Sequence, residues 1–147
     1  MLNKTITMFQ SVRELKNPIH TTIQTSLERI KNGKQKLLIE RLRGTETLDQ
    51  NGNPIPDKSA KLKLPVVMYS GKFDGRKDED LKEHSNIIVL DFDHIDVAQS
   101  KKALATDDYV FACWISPSGD GLKALIKIAS ADQHRDHFRA VCSYMDR

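Results

Sequence analysis

The sequence predicts an α+β fold whose second half, residues 87–147, is a strand–helix–strand–strand–helix run. Two apolar runs and one stretch of alternating apolar and polar residues indicate strands, because buried strands are apolar throughout and half-buried strands alternate. The three predicted strands cover residues 87–91, 109–115 and 122–129. Asp96 is a suitable N-cap for the first helix, and the spacing of apolar residues predicts the second helix over 132–144.

This run lacks only a final strand to complete a βαββαβ split unit. In that topology the first and third strands are antiparallel neighbours, so the end of the first strand lies beside the beginning of the third. The sequence ends at Arg147, directly after the last predicted helix. We therefore expect a single domain over residues 1–147 that is truncated at its C-terminus.

Residues 1–86 are predicted to add an N-terminal α/β segment to this second half. Alternation indicates strands, and apolar residues at i, i+4 and i+7 indicate a helix. The predicted elements are an edge strand at 4–9, a helix from Thr21 to Asn32-Gly33, a short helix ending near Gly44, a strand at 64–69 and an exposed charged segment at 74–84.

The composition is that of a soluble globular domain, with 29% charged and 39% hydrophobic residues in 147. No apolar run approaches the roughly 18 residues that cross a membrane, and the first ten residues lack the apolar core of a signal peptide. The two cysteines, Cys113 and Cys142, do not have metal-ligand spacing. We expect a cytoplasmic protein without a membrane partner.

The net charge of +3 is concentrated near the N-terminus, where residues 1–43 contain nine Lys or Arg and three Asp or Glu. A basic helix face of this kind can bind the phosphates of a nucleic acid, although it is also typical of a solvated helix. The candidate nucleic-acid contacts are Arg29, Lys34, Lys36, Arg41 and Arg43.

Two carboxylates, Asp91 and Asp93, follow the apolar run at 87–90. Alternate residues of a strand share a face, so both side chains project together while Phe92 points away. Two acids held this close repel each other, and a hard divalent cation removes that cost. We therefore predict an Mg²⁺ or Mn²⁺ site here. The alternative is an ordinary polar turn, since Asp is common in turns.

The turn at 116–121 is rich in Ser and Gly and lies between the second and third strands. Backbone N–H groups of such a turn can approach a phosphate, hydroxyl groups can donate to it, and a nearby Lys adds a positive charge. Together with the two carboxylates, this pattern predicts a nucleoside triphosphate site, although each part alone is also typical of a plain hairpin. The candidate nucleotide-binding residues are Ser116, Ser118, Gly119, Gly121 and Lys123.

At these residues the sequence resembles the archaeo-eukaryotic primase, or primase-polymerase, superfamily. That family has an Asp-x-Asp after an apolar strand and a Ser-Gly-x-Gly-x-His motif at a later strand. The matching residues here are Leu90-Asp91-Phe92-Asp93 and Ser118-Gly119-Asp120-Gly121-Leu122-Lys123. The extended Ser-Pro-Ser-Gly-x-Gly-Leu-Lys form resembles the branch at the N-terminus of VirE-type proteins of bacteria and mobile elements.

The resemblance implies an RRM-like βαββα(β) core with an added N-terminal α/β segment. It implies Asp91 and Asp93 as catalytic metal ligands, triphosphate and DNA (or RNA) as ligands, and a fused C-terminal P-loop ATPase or helicase region. Two features depart from the family. Lys123 stands where the family has His, and the third acid of the family is expected beyond Arg147.

Two other functions fit the same residues. In a haloacid-dehalogenase-type phosphatase, Asp91 would be the nucleophile and Ser116 would end the second strand. In a non-catalytic regulatory module, the domain would bind DNA beside a fused ATPase, which would account for Lys123 and for the lack of a third acid.

Overall fold

Small antiparallel sheets and short helices make up the protein in the computed structural model, which describes residues 1–45 and 47–146. Glu46 and Arg147, which belong to the predicted domain 1–147, lie outside the described residues. The described part of the chain is therefore a mixed α+β structure, as the sequence predicts. No helix within these described ranges is long and apolar enough to cross a lipid bilayer.

The first sheet belongs to the N-terminal segment. Its strands, in the order β2–β1–β3, are β1 (Thr5–Phe9), β2 (Ile19–Thr22) and β3 (Val66–Met68). The prediction of an edge strand at 4–9 is wrong, because β1 pairs on both sides. Its interior position is explained by Ile6, Thr7 and Phe9, which are all fully buried. The Thr7 hydroxyl accepts a hydrogen bond from the Phe73 amide, so even the polar side chain is satisfied inside.

Two basic helices follow β2, and both match the prediction. They are α1 (Ile23–Lys31), with Thr22 as N-cap, and α2 (Lys36–Arg43). Gly44 ends α2 in the left-handed conformation, with φ of 76°, and a side chain there would collide with the backbone of Ile55. Leu42 anchors α2 by packing on Ala60 and Leu64, beside a short 3₁₀ helix at Lys58–Lys63.

A hairpin of β4 (Gly71–Phe73) and β5 (Leu81–His84) joins the two halves of the chain. β5 was not predicted, because the residues of this strand lie in the charged segment at 74–84. Lys82 and Glu83 are indeed exposed, whereas the flanking Leu81 and His84 are half-buried. Because these residues are charged, the strand does not show the apolar pattern by which strands are predicted.

The second half contains the predicted strand–helix–strand–strand–helix run. Its elements are β6 (Ile87–Phe92), α3 (Val97–Ala105), β7 (Val110–Ile115), β8 (Leu122–Lys127) and α4 (His134–Met145). The Asp96 carboxylate caps α3 by accepting from the Gln99 amide, as predicted. The strand order is β6–β8–β7 with antiparallel neighbours, so the first and third strands of the run lie side by side.

Alternate residues of these strands form two different faces. The helix face packs against α3 and α4 and contains Ile88, Leu90, Leu122, Ala124 and Ile126. The cavity face points to the N-terminal segment and contains Ile87, Val89, Asp91, Trp114, Lys123 and Leu125. Lys123 and Leu125 therefore lie on the other face of β8 from Leu122 and Ala124, as the alternation of a strand requires.

Candidate functional site

Asp91 and Lys123 meet where β6 ends and β8 begins. The two residues are directly opposite in the strand register, and the Lys123 Nζ donates to the Asp91 Oδ1 at 2.6 Å. The side chains of Asp91 and Lys123 are 55% and 32% exposed, so this ion pair lies at the surface. The antiparallel pairing of β6 with β8 brings together residues more than thirty positions apart, as the topology predicted.

Asp93 lies just after β6, two residues beyond Asp91. The Asp93 Oδ1 lies 3.3 Å from the point where a side chain on Gly121 would begin, and the carbonyl of Phe92 lies closer still. Gly121 is buried, and any larger residue would collide with that carbonyl. The absence of a side chain at Gly121 therefore lets the 116–121 turn approach both the strand end and the second carboxylate.

The 116–121 turn is closed by its own backbone. The Ser116 amide donates to the Gly121 carbonyl at 2.9 Å, and the Gly119 amide donates to the Ser116 carbonyl at 3.0 Å. Gly119 has φ of 88°, a conformation that glycine adopts without strain. Ser116 is buried, and its hydroxyl lies 3.2 Å from the Ser118 hydroxyl.

Two polar side chains at this turn were not predicted as site residues, Asp120 within it and His94 beside it. The Ser118 hydroxyl donates to the Asp120 Oδ1 at 2.6 Å, and the His94 Nδ1 lies 3.0 Å from the Asp120 Oδ2. The Ser118 hydrogen bond, and then the nearby His94, hold the pKa of the Asp120 carboxyl below its usual value. The Ser118 hydroxyl is therefore engaged within the turn, and a phosphate ligand would compete with Asp120 for it.

Arg43 ties the turn to the end of α2. Its Nε donates to the Pro117 carbonyl and its Nη2 donates to the Ser116 carbonyl, each at 3.0 Å. Arg43 is one of the predicted nucleic-acid contacts. Its contact with the turn spans more than seventy residues, and no sequence pattern indicates a contact of that kind. Two donors of its guanidinium are instead directed into the protein.

A cavity of about 310 Å³ is lined by residues of α1, of α2 and of the cavity face of the sheet. Its lining includes three cationic residues that the sequence analysis selected, Arg29, Lys34 and Lys123. Two aromatic residues that it did not select, Tyr69 and Trp114, also line the cavity, with ring centroids 5.6 Å apart. Trp114 stands opposite Lys123 in the register of β7 with β8.

Tyr69 is held rigidly in this lining. Its hydroxyl lies 2.6 Å from the buried Ser26 hydroxyl on α1, and burial raises the pKa of the Tyr69 phenol. The remaining candidate nucleic-acid contacts, Lys36 and Arg41, are exposed on α2 and are not part of the cavity lining.

The donor set at the strand ends suits a hard cation only in part. Asp91 and Asp93 offer carboxylate oxygens, but the Asp91 Oδ1 already accepts from Lys123. Within residues 1–45 and 47–146, no group of three or more His, Cys, Asp or Glu side chains is arranged to hold a metal. Mg²⁺ commonly binds through one or two carboxylates together with the phosphates of a substrate. These residues therefore fit a cation that arrives with a triphosphate.

Residues 59–146, more than half of the chain, match a protein-family model described as BT4734-like, N-terminal domain. The match includes the strand-end carboxylates, the 116–121 turn and Lys123, whereas α1 and α2 precede it. A search of curated proteins found no match. A search of solved structures likewise found none.

Proposed function

The chain belongs to the BT4734-like N-terminal domain family, and on that premise we propose that it is a primase-polymerase-like module that binds a nucleoside triphosphate with Mg²⁺ or Mn²⁺. The observation that carries the proposal is the cavity beside the strand ends. It combines an aromatic lining with the cations Arg29, Lys34 and Lys123. An aromatic surface suits a nucleobase, and cations suit phosphates.

In this proposal the βαββα run belongs to an RRM-like core. The antiparallel pairing of β6 with β8 supports it, because a split unit of this kind has its first and third strands as neighbours. Asp91 and Asp93 are the catalytic metal ligands. A bound Mg²⁺ or Mn²⁺ would bridge phosphate oxygens and neutralise their charge.

The remaining site residues serve the phosphates. Lys123 supplies a positive charge beside the carboxylates, and the 116–121 turn would supply its amides and the Ser116 and Ser118 hydroxyls once a phosphate replaces their partners within the turn. When a triphosphate and a cation bind together, Lys123 would exchange its contact with Asp91 for a phosphate oxygen. The exchange keeps every charge paired, which lowers its cost.

DNA, or RNA, is the proposed second ligand. The exposed Lys34, Lys36 and Arg41 lie on or beside α2, near the cavity, and such a group of cations can follow a phosphate backbone. By resemblance to the VirE-type branch, the module would precede a P-loop ATPase or helicase region. It would act in the cytoplasm in replication of a bacterium or a mobile element.

Calorimetric titration of the whole chain tests the nucleotide site. We expect a triphosphate to bind in the presence of Mn²⁺, and binding to weaken in Asp91→Asn/Asp93→Asn. Lys123→Ala should weaken triphosphate binding by about 1–3 kcal/mol and nucleoside binding much less. Lys127→Ala is the matched control, because it removes an equal charge from the same strand, roughly 13 Å away. Equal losses in the two Lys variants would contradict the assignment.

A DNA titration at several salt concentrations tests the second ligand. Binding to Lys34, Lys36 and Arg41 should weaken steeply as salt rises, since each phosphate contact releases counterions. Removing these side chains should flatten that dependence. A template, triphosphates and Mn²⁺ then test for primer synthesis.

The non-catalytic alternative has one specific observation in its favour. Lys123 already neutralises Asp91, and two carboxylates alone hold a cation weakly. A module of this kind would bind DNA but would show no Mn²⁺-dependent triphosphate binding. The phosphatase alternative requires parallel strands beside β6. Since β6 pairs with the antiparallel β8, this fold does not favour that alternative.

A further inference from the structure

Arg43 makes two hydrogen bonds to consecutive carbonyls of the 116–121 turn, those of Ser116 and Pro117, each at 3.0 Å. A guanidinium that donates through two nitrogens fixes both the distance and the orientation of its partners. The side chain is half-buried, so water competes with these contacts only in part. Arg43 therefore determines where this segment of the turn lies relative to α2.

Gly119, within the turn, also lies close to this side chain. A side chain added at Gly119 would begin 3.2 Å from the Arg43 Nε and 3.4 Å from its Cδ. Gly119 itself donates to the Ser116 carbonyl, which is one of the two carbonyls that Arg43 contacts. The arginine thus lies against the turn both at its beginning and at Gly119.

The helix end that carries Arg43 is firmly placed. Arg43 is the last residue of α2, directly before the left-handed Gly44. The preceding Leu42 is buried against Ala60 and Leu64, and the Arg41 carbonyl accepts from the Asp57 amide at 2.9 Å. The guanidinium is thus presented from a rigid support, so little conformational entropy is lost in holding the turn.

We propose that Arg43 is a positioning residue that holds the 116–121 turn in the form that accepts a phosphate. Carbonyl oxygens repel an anion, and Arg43 draws two of them towards α2 and covers their partial negative charge. This inference rests on the proposed nucleotide site. It also separates Arg43 from the basic residues around it, because its task is to shape the turn and not to contact nucleic acid.

The test is Arg43→Lys in the whole chain, which keeps the charge but loses the two-pronged donor. Arg139→Lys on the exposed surface of α4, on the opposite side of the sheet, is the matched control. Triphosphate affinity should fall about tenfold in Arg43→Lys, since charge-assisted hydrogen bonds to the turn are lost. Nucleoside affinity should match the control. In Arg43→Ala, millimolar guanidinium should restore part of the triphosphate affinity.

Unchanged triphosphate affinity in Arg43→Lys overturns the inference. Equal losses for nucleoside and triphosphate also overturn it, because they indicate general damage to the domain. If the wild-type chain binds no triphosphate, the proposed function fails. Hydrogen exchange of the turn amides then decides the positioning role separately. Faster exchange at Gly119 in Arg43→Lys than in the control supports it, and unchanged exchange refutes it.

Discussion

The two faces of the β6–β8–β7 sheet consist of alternate residues of the same strands, yet they are packed very differently. On the helix face the strand side chains are at most 5% exposed at Ile88, Leu90, Leu122, Ala124 and Ile126. The cavity face is equally closed at Ile87 and Leu125, but it opens towards the strand ends. There it carries the half-exposed ion pair of Asp91 and Lys123 and borders the cavity.

The difference separates stability from chemistry within one sheet. The closed face removes apolar area from water, which is the main source of folding free energy. The open end holds polar and charged side chains that remain hydrated or paired. A change on the helix face should therefore affect folding, whereas a change at the open end should affect ligands.

Leu122→Ala should destabilise the protein by about 2–5 kcal/mol, because Leu122 is fully buried on the helix face and its loss leaves a cavity. Lys123→Ala, one residue along the same strand, should cost less than about 1 kcal/mol, as is usual for surface ion pairs. Urea unfolding of both variants measures the contrast. Similar losses in the two would refute the division between the faces.

Gly121→Ala should cost about 1–3 kcal/mol, because the added methyl group collides with the Phe92 carbonyl and must push the turn away from β6. The same shift moves the turn relative to Asp93, so triphosphate binding should weaken as well. Unfolding and calorimetry are measured on one preparation. Gly52→Ala adds a methyl group where no atom lies within 4 Å, and its φ of 81° adds a backbone strain that Gly121 does not have, so a larger loss in Gly121→Ala identifies the collision. A Gly121→Ala protein with wild-type stability would show that the close approach is not needed.

The Asp91–Lys123 pair should contribute no more than about 1 kcal/mol to folding, because both side chains reach solvent. A double-mutant cycle with Asp91→Asn and Lys123→Met isolates the coupling between the two residues. The same variants should change ligand binding far more than folding. A coupling of several kcal/mol would instead indicate that the open end of the cavity face is structural.

The smallest effect concerns the contact between β5 and α4. The His84 Nε2 lies 2.9 Å from the His134 Nδ1, and the His84 Nδ1 accepts from the Asn86 amide. Burial, and then the neighbouring His134, lower the pKa of His84. The unfolded chain therefore binds a proton more readily than the folded one, and stability falls as the pH drops below about 6.5.

Unfolding in urea at about pH 7.5 and about pH 5.5 measures this dependence. His84→Asn should reduce the difference between the two pH values, because it removes the titrating group while an amide oxygen remains to accept from Asn86. An undiminished difference in His84→Asn would assign the pH dependence to other groups.

Local patterns in the sequence determined most of the second half of the chain. Apolar runs and alternation are sufficient for β6, β7 and β8, because a strand with a buried face must present apolar residues at a period of two. The capping of α3 by Asp96 and the end of α2 at Gly44 also follow from neighbouring residues. The contact of Asp91 with Lys123 could be predicted too, because the order of the strands and their antiparallel pairing place the two residues side by side.

The tertiary structure alone decided which segments pair where no local pattern links them. β1 is a central strand because β3 pairs with it from sixty residues away, and the charged β5 forms because β4 lies beside it. The role of Arg43 depends on where α2 packs, and the Trp114 side chain lines a cavity that exists only after folding. Contacts of this kind arise from the packing of distant segments, and no periodicity within a short window records them.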